Sequence, residues 1–302
     1  MERGMNERIR KLRKQSLETE PHIYMERAKL ETEAYMMYEG SVSVPELRAL
    51  SFKHFMEHKA LCINDGELIV GEKGDGPQAA PSFPELCCRT VEDMKVMDAR
   101  DLIYFRVSEE DLKVQEETII PFWEKRSIRH KILENMSEEW KDAYAAGIFT
   151  EFMEQRGPGH TVGSEKIYKK GFQDYKNDII EARNRLDFLN DKEAFDKKAQ
   201  LNAMEICCDA IMILGERYAA YARELAEKET DEIRKQELLQ IAANCDVVPA
   251  HAPKTFWQAI QMYWFVHLGV TTELNPWDAY SPGRLDQHLN PFYQKDIEDG
   301  IL

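Results

Sequence analysis

The sequence predicts a mainly α fold with a few strands, and three observations carry that expectation. Apolar residues recur at three- and four-residue spacing through most of the chain. The period changes only briefly, after Asn64, and Pro253 to Gly269 is apolar on every side. A helix that is apolar all round must be covered all round, so this stretch implies a large surrounding protein. With 302 residues, 43% apolar and 31% charged, the chain has an ordinary globular composition, which excludes a disordered or fibrous reading.

The first helix is expected over Asn6 to Glu18, where Ile9, Leu12 and Leu17 share a side. Pro21 is expected to open a second, carrying Ile23, Ala28, Leu30, Ala34, Tyr35 and Tyr38 and ending before Gly40. A third follows Ser43 with Pro45 in its first turn, where a missing N–H breaks no bond. Asn64-Asp65-Gly66 is a turn signal, and Glu67 to Gly71 reads as a short strand before a Gly/Pro-rich loop. Helical patterning resumes from Ser108 to Gly147, with Pro121 and Ser137 as interruptions. Gly157-Pro158-Gly159 excludes a helix interior, so Phe149 to Gly163 must contain a loop. Long helices are expected over Lys166 to Leu189 and Asp191 to Lys228, and a shorter one over Glu232 to Cys245. Val270 to Leu274 reads as a strand and Asn275 to Arg284 as irregular. No linker, repeat or like-charge block marks a second domain.

Composition also narrows function. The 40 basic and 55 acidic residues leave a net charge of −15, which argues against a phosphate backbone as partner. No run approaches the ~18 apolar residues of a membrane span, so neither nucleic acid nor membrane is expected. Six cysteines include two adjacent pairs on apolar segments and no C-x-x-C; with no signal peptide, they fit reduced thiols in the cytoplasm. The C-terminus, an apolar Ile301-Leu302 just after Gly300, reads as a cut.

Two irregular segments could carry chemistry. His160 follows the Gly-Pro-Gly turn, free of helix packing, and an imidazole titrates near neutrality, suited to giving or taking a proton. A surface turn with an incidental histidine is the plainer reading, and both stay open. Glu273 to Gln287 places acids, amides, an arginine and aromatics beside the buried helix, which means a satisfied hydrogen-bond network or a ligand pocket. Gly71 to Gly76 matches no phosphate-cradling motif. His54 and His58 stand at i, i+4 but lack H-E-x-x-H, so a solvated helix face is expected and no metal.

Six motifs, in order over most of the chain, add a resemblance. Glu26-Arg27-Ala28, Thr32-Glu33, Asp65 to Gly71, Pro84-Glu85, Arg156-Gly157-Pro158-Gly159-His160, and Ser281-Pro282-Gly283-Arg284-Leu285-Asp286-Gln287 together resemble the glycyl radical enzymes of the pyruvate formate-lyase superfamily. The resemblance implies that residues 1–302 are the N-terminal part of a much longer pyruvate formate-lyase-like domain. It implies a ten-stranded barrel of two antiparallel halves with helices outside, begun by this chain. In that family a separate activating enzyme, using S-adenosylmethionine and an iron–sulfur cluster, installs a glycyl radical. The radical passes to a cysteine, whose thiyl abstracts hydrogen from substrate. Neither a C-x-E nor an Arg-Val-x-Gly motif occurs here, so this chain by itself is expected to bind no cofactor and to turn over nothing.

The resemblance is nearest to the branch that removes water from trans-4-hydroxy-L-proline to give a pyrroline-5-carboxylate. Lyases acting on glycerol, propanediol or choline are the alternative, and a non-catalytic helical interaction protein is the second. It implies that His160 hydrogen-bonds or protonates the departing hydroxyl. Asp278 stands where glycerol-dehydrating members carry histidine, and its carboxylate can pair with a cationic amine that a diol lacks. Phe152 is expected to wall the ring, with core packing as its alternative. Arg284, Asp286 and Gln287 are assigned to structural support, and a homodimer is implied.

Overall fold

The computed structural model describes residues 6–148, 162–274 and 281–302. Helix α1 (Glu7–Glu18) starts where expected, with the Asn6 side chain accepting from Ile9 N–H at 2.9 Å. Pro21, in contrast, precedes a strand. β1 (His22–Tyr24) pairs in parallel with β2 (Ala79–Pro81), His22 opposite Ala79, and Ile23 N–H donates to Arg106 O at 2.9 Å. Pairing with residues far along the chain overrides the local period here, and helix α2 (Glu26–Tyr38) begins only afterwards. Helix α3 (Val44–His58) has Pro45 in its first turn and a reciprocal cap between Ser43 and Glu46.

Glu67 to Gly71 is not a strand. Its backbone is held by side chains instead: Trp257 Nε1 donates to Leu68 O at 2.7 Å, Trp264 Nε1 to Gly71 O at 2.7 Å, and Gln261 bonds both Val70 N–H (2.9 Å) and Val70 O (2.8 Å). A buried backbone needs partners, and polar side chains on a neighbouring helix serve as well as a ladder. Helix α4 (Val91–Asp98) follows, capped by Thr90 and Asp93. Helix α5 (Glu109–Val114), one π-helical turn (Gln115–Ile119) and α6 (Ile120–Trp123) then run on without a break through Pro121. The wide turn lies directly before the proline, which lacks the N–H that a regular turn would use. Serines 127 and 137 cap α7 (Ile128–Asn135) and α8 (Glu138–Ala145).

The single helix expected over Lys166 to Leu189 is divided into α9 (Lys166–Lys169) and α10 (Phe172–Asn184). The division falls at Gly171, where Phe172 N–H donates to Pro249 O (2.9 Å) and Gln173 N–H to Ala250 O (3.0 Å). The approach is so close that a Cβ on Gly171 would lie 2.1 Å from Ala250 O. Helices α11 (Ala194–Lys228), α12 (Glu232–Val247), α13 (Phe256–Glu273) and α14 (Leu285–Glu298) complete the chain. The strand expected over Val270 to Leu274 is the last turn of α13 and its cap. Val270, Thr271 and Thr272 are β-branched, but packing outweighs that weak preference.

Helix α13 is shared by two cores. Phe265 and Leu268 join Phe55, Leu214, Tyr218 and Ile241 from α3, α11 and α12. Met262 and Val266 join Val162, Ile167, Tyr168 and Leu289 around α9 and α14. This explains its all-round apolar composition, although Trp257 and Trp264 stay half-buried with their indole N–H groups engaged. A third core gathers Met25, Ala28, Met94, Ile119 and Trp123 around α2. The fold is mainly helical, and among the described residues the β1–β2 pair is the only sheet. Among the same residues no helix is long and apolar enough to cross a membrane.

Candidate functional site

His160 and Phe152 belong to segment 149–161 and Asp278 to segment 275–280, so all three lie outside the described residues. The residues that flank them are described, and they converge. Val162 N–H donates to Ser281 O at 3.1 Å, joining the chain two residues after His160 to the chain three residues after Asp278. Gly163 adopts φ 65°, and a Cβ there would sit 2.2 Å from Ile167 Cγ2, so only glycine fits this turn into α9. The Tyr168 ring then stacks on His288 of α14 with centroids 5.6 Å apart. Burial pushes its hydroxyl up to about 12, and that hydroxyl has no hydrogen-bond partner among the described residues. Downstream, Ser281 Oγ accepts from Gly283 N–H at 3.1 Å. Arg284 occupies the N-cap position of α14 and makes no side-chain capping bond to it.

A network of charges lies where α13 hands the chain to residue 275. Arg27 forms a two-pronged pair with Glu85 (Nη2 to Oε1 2.8 Å, Nη1 to Oε2 3.2 Å) and donates from Nε to Thr272 O at 2.8 Å. Its Cζ stands 3.8 Å from the centre of the Phe83 ring. Glu31 accepts from Ser51 Oγ at 2.6 Å and lies 3.9 Å from Arg27 Nη2. Burial pushes the Glu31 carboxyl up to about 7; Arg27 pulls it down, and Glu85 and Glu273 push it up further. Arg48 pairs with Glu273 at the end of α13. Burial also raises the Glu273 carboxyl, against the pull of Arg48 and Arg27, with 22% of its side chain still open to solvent. This pair forms the charged end of an otherwise largely apolar cavity of about 760 Å³ between α3, α10 and α11.

Sequence reasoning placed Arg27 and Glu85 in motifs but not in contact, put Glu273 at the head of a polar segment without its partner, and missed Glu31 and Arg48. The i, i+4 spacing of Arg27 and Glu31 was a usable signal. Nothing local marks Arg48, whose partner is in α13. His58 is exposed and His54 half-buried on the same helix, and Glu57 adds a third ligand-type group, all within 4.8 Å of one another. Ligands of one zinc ion lie closer, about 3.3 Å apart for bonds near 2.05 Å, and His54 Nε2 already faces Glu33 at 3.3 Å. All six cysteines are free thiols. Burial raises Cys62 and Cys208 to about 11, and Cys88, Cys207 and Cys245 to about 12, which suits packing and not nucleophilic attack.

Residues 5–302 match the Pyruvate formate lyase-like family. The chain is 64% identical to trans-4-hydroxy-L-proline dehydratase of Clostridioides difficile over 302 residues, which is all of this chain and 38% of that protein. It is 34% identical over 281 residues to a probable dehydratase of Escherichia coli (strain K12), covering 92% of this chain and 34% of the relative. Its structure superimposes on that of the C. difficile hydroxyproline dehydratase, solved with trans-4-hydroxy-L-proline bound, with a TM-score of 0.95 over 100% of this chain and 38% of the other. The glycerol-bound, B12-independent glycerol dehydratase of Clostridium butyricum gives a TM-score of 0.86 at 30% identity, over 97% of this chain and 38% of that one. The chain therefore spans under two-fifths of the length of these relatives. Joined to the converging flanks and the motifs that carry Arg27 and Glu85, these likenesses establish that the chain belongs to the pyruvate formate lyase-like family.

Proposed function

We propose that this chain is the N-terminal part of a glycyl radical dehydratase that removes water from trans-4-hydroxy-L-proline to give a pyrroline-5-carboxylate. The observation that carries this reading is 64% identity along the whole chain, with a TM-score of 0.95, to a hydroxyproline dehydratase holding that substrate. At 30% identity the glycerol-bound relative shares the architecture at a TM-score of 0.86. The chain supplies outer helices and one wall of the substrate pocket, and further sequence completes the ten-stranded barrel. The family's glycyl radical, installed by an S-adenosylmethionine and iron–sulfur activating enzyme, supplies the hydrogen abstraction that starts the reaction.

The residues of this chain bind and move protons. Asp278 pairs its carboxylate with the secondary ammonium of the substrate, an interaction no diol offers. His160, which follows Gly157-Pro158-Gly159 in the sequence, donates a hydrogen bond to the hydroxyl and passes it a proton as the carbon–oxygen bond breaks, so that water leaves instead of hydroxide. Phe152 walls the ring and excludes solvent. The full-length protein works as a homodimer in the cytoplasm.

The test is a substrate panel. Full-length protein, activated anaerobically, is incubated separately with trans-4-hydroxy-L-proline, glycerol, 1,2-propanediol and choline. Loss of hydroxyproline with a pyrroline-5-carboxylate formed supports the proposal. Turnover of a diol or choline in its place, or of none of the four, overturns it.

A further inference from the structure

The cavity of about 760 Å³ between α3, α10 and α11 is a groove that stays open among the described residues. Its rim leaves Val44 73% exposed, Met204 45% and Leu274 40%. Apolar residues scattered singly over a surface are ordinary, but three around one apolar groove mark a place that something covers. Its floor is closely packed, with Ala49, Ile179, Ala203 and Cys208 keeping at most 7% of their exposure. Two of its walls are helix faces. Tyr175, Ile179 and Ala182 stand at i, i+4, i+7 on α10, and Leu201, Met204 and Cys208 at i, i+3, i+7 on α11. Two such ridges leave between them the kind of channel in which a third helix packs, and alanines on the floor let its backbone come close. At one end Arg48 binds Glu273 through Nη2. A guanidinium carries five N–H donors, so that end has hydrogen bonds left to offer.

Length decides what the occupant is. The C. difficile relative, 64% identical to this chain, is matched along only 38% of its own length, and the two structures superimpose with a TM-score of 0.95. More than three-fifths of such a fold therefore lies outside this chain and has to rest on some face of it. A second copy fits the groove less well, because a two-fold axis there would set a concave surface against itself. We propose that the groove receives a helix from the remainder of the same polypeptide, apolar on the face that enters and carrying a hydrogen-bond acceptor where it meets Arg48. This rests on the reading of the chain as part of a longer enzyme, and is independent of which substrate that enzyme takes. With the helix seated, Val44, Met204 and Leu274 lose their exposure, and the groove is an internal seam that admits no small ligand.

The experiment uses the full-length protein. The photoreactive residue p-benzoylphenylalanine is placed at position 204, and after irradiation the joined peptides are identified by mass spectrometry. A bond to a peptide of the same polypeptide outside residues 1–302 is expected. In parallel, Val44→Cys and Met204→Cys are alkylated with a maleimide and followed peptide by peptide. Both thiols should react at least ~10²-fold more slowly in native protein than in urea, because the groove must open before they are reached. Cysteine is small, so these two variants carry the test should the bulky probe prevent folding. Smaller protection at both positions, or a bond only to residues within 1–302, overturns the proposal. A bond between two copies also overturns it and makes the groove a subunit contact. Each of these results leaves the hydroxyproline reading to its own substrate panel. A full-length protein that adds nothing to residues 1–302 overturns both.

Discussion

With the Glu31 carboxyl 4% exposed and pushed up to about 7, stability depends on pH. The folded protein holds this proton more tightly than the unfolded chain, whose value is near 4.5. The contribution is therefore fully present below about 4.5 and is lost as pH rises through about 7. Glu31→Gln keeps an oxygen for Ser51 and cannot ionise, so the variant's gain in melting temperature over wild type should grow from about pH 5 to about pH 8. A gap that stays constant over that window would mean that Glu31 does not titrate there. Lys59, 1% exposed and donating to Glu72 O at 2.7 Å, is lowered to about 8 by burial. Its penalty is present below about 8 and is relieved as pH rises toward 10.5, so the two effects fall in separate windows and have opposite slopes. At the reacting end, His160→Ala should lower kcat at least ~10²-fold if the imidazole protonates the departing hydroxyl; near-normal turnover would remove it from that role.

Among the elements, α13 shows how a helix substitutes for a sheet neighbour. Gln261 satisfies both backbone groups of Val70, and replacing it with leucine orphans an N–H and a carbonyl together. Gln261→Leu should cost about 1–3 kcal/mol for each orphaned group, seen in chemical denaturation and in faster amide exchange at Val70. Gly171→Ala should destabilise by about 1–3 kcal/mol or more, because its new Cβ meets backbone at Ala250 and His251 that no rotamer change can move. These two places also mark where sequence reading stopped. Glu67 to Gly71 has the composition of a strand, and nothing local says that its hydrogen bonds go to side chains nearly two hundred positions away. The break at Gly171 is set by the backbone of 249–250, which local pattern cannot reveal either. Caps were legible, because a cap is a matter of three residues: Asn6, Ser43 and Ser137 all begin helices as their types suggest.

At the scale of the molecule, three cores among the described residues are built on a few shared helices, and α13 links two of them. Its apolar circumference was visible in the sequence and foretold this position. The partners of each side were not, since periodicity gives a face but not what covers it. Phe265→Ala, removing a fully buried ring from the larger core, should cost about 3–5 kcal/mol in urea denaturation. Family membership was legible for a different reason: six motifs in a fixed order constrain more than any one of them does. The contact between Arg27 and Glu85 explains why two of those motifs occur together, since each supplies half of one bidentate pair.

The bond from Val162 N–H to Ser281 O has a kinetic consequence. It ties together positions separated by the five helices α9 to α13, so the chain between them must be ordered before the contact returns any energy. A contact of that span carries a large loop-closure cost and is expected to form after the folding barrier. Weakening this junction, for example by Gly163→Ala, should therefore speed unfolding while leaving the folding rate nearly unchanged in stopped-flow measurements. A matching loss in the folding rate would instead place the junction inside the folding nucleus. On that order of events the junction of Val162 and Ser281 is the last part of this chain to assemble on folding and the first to come apart.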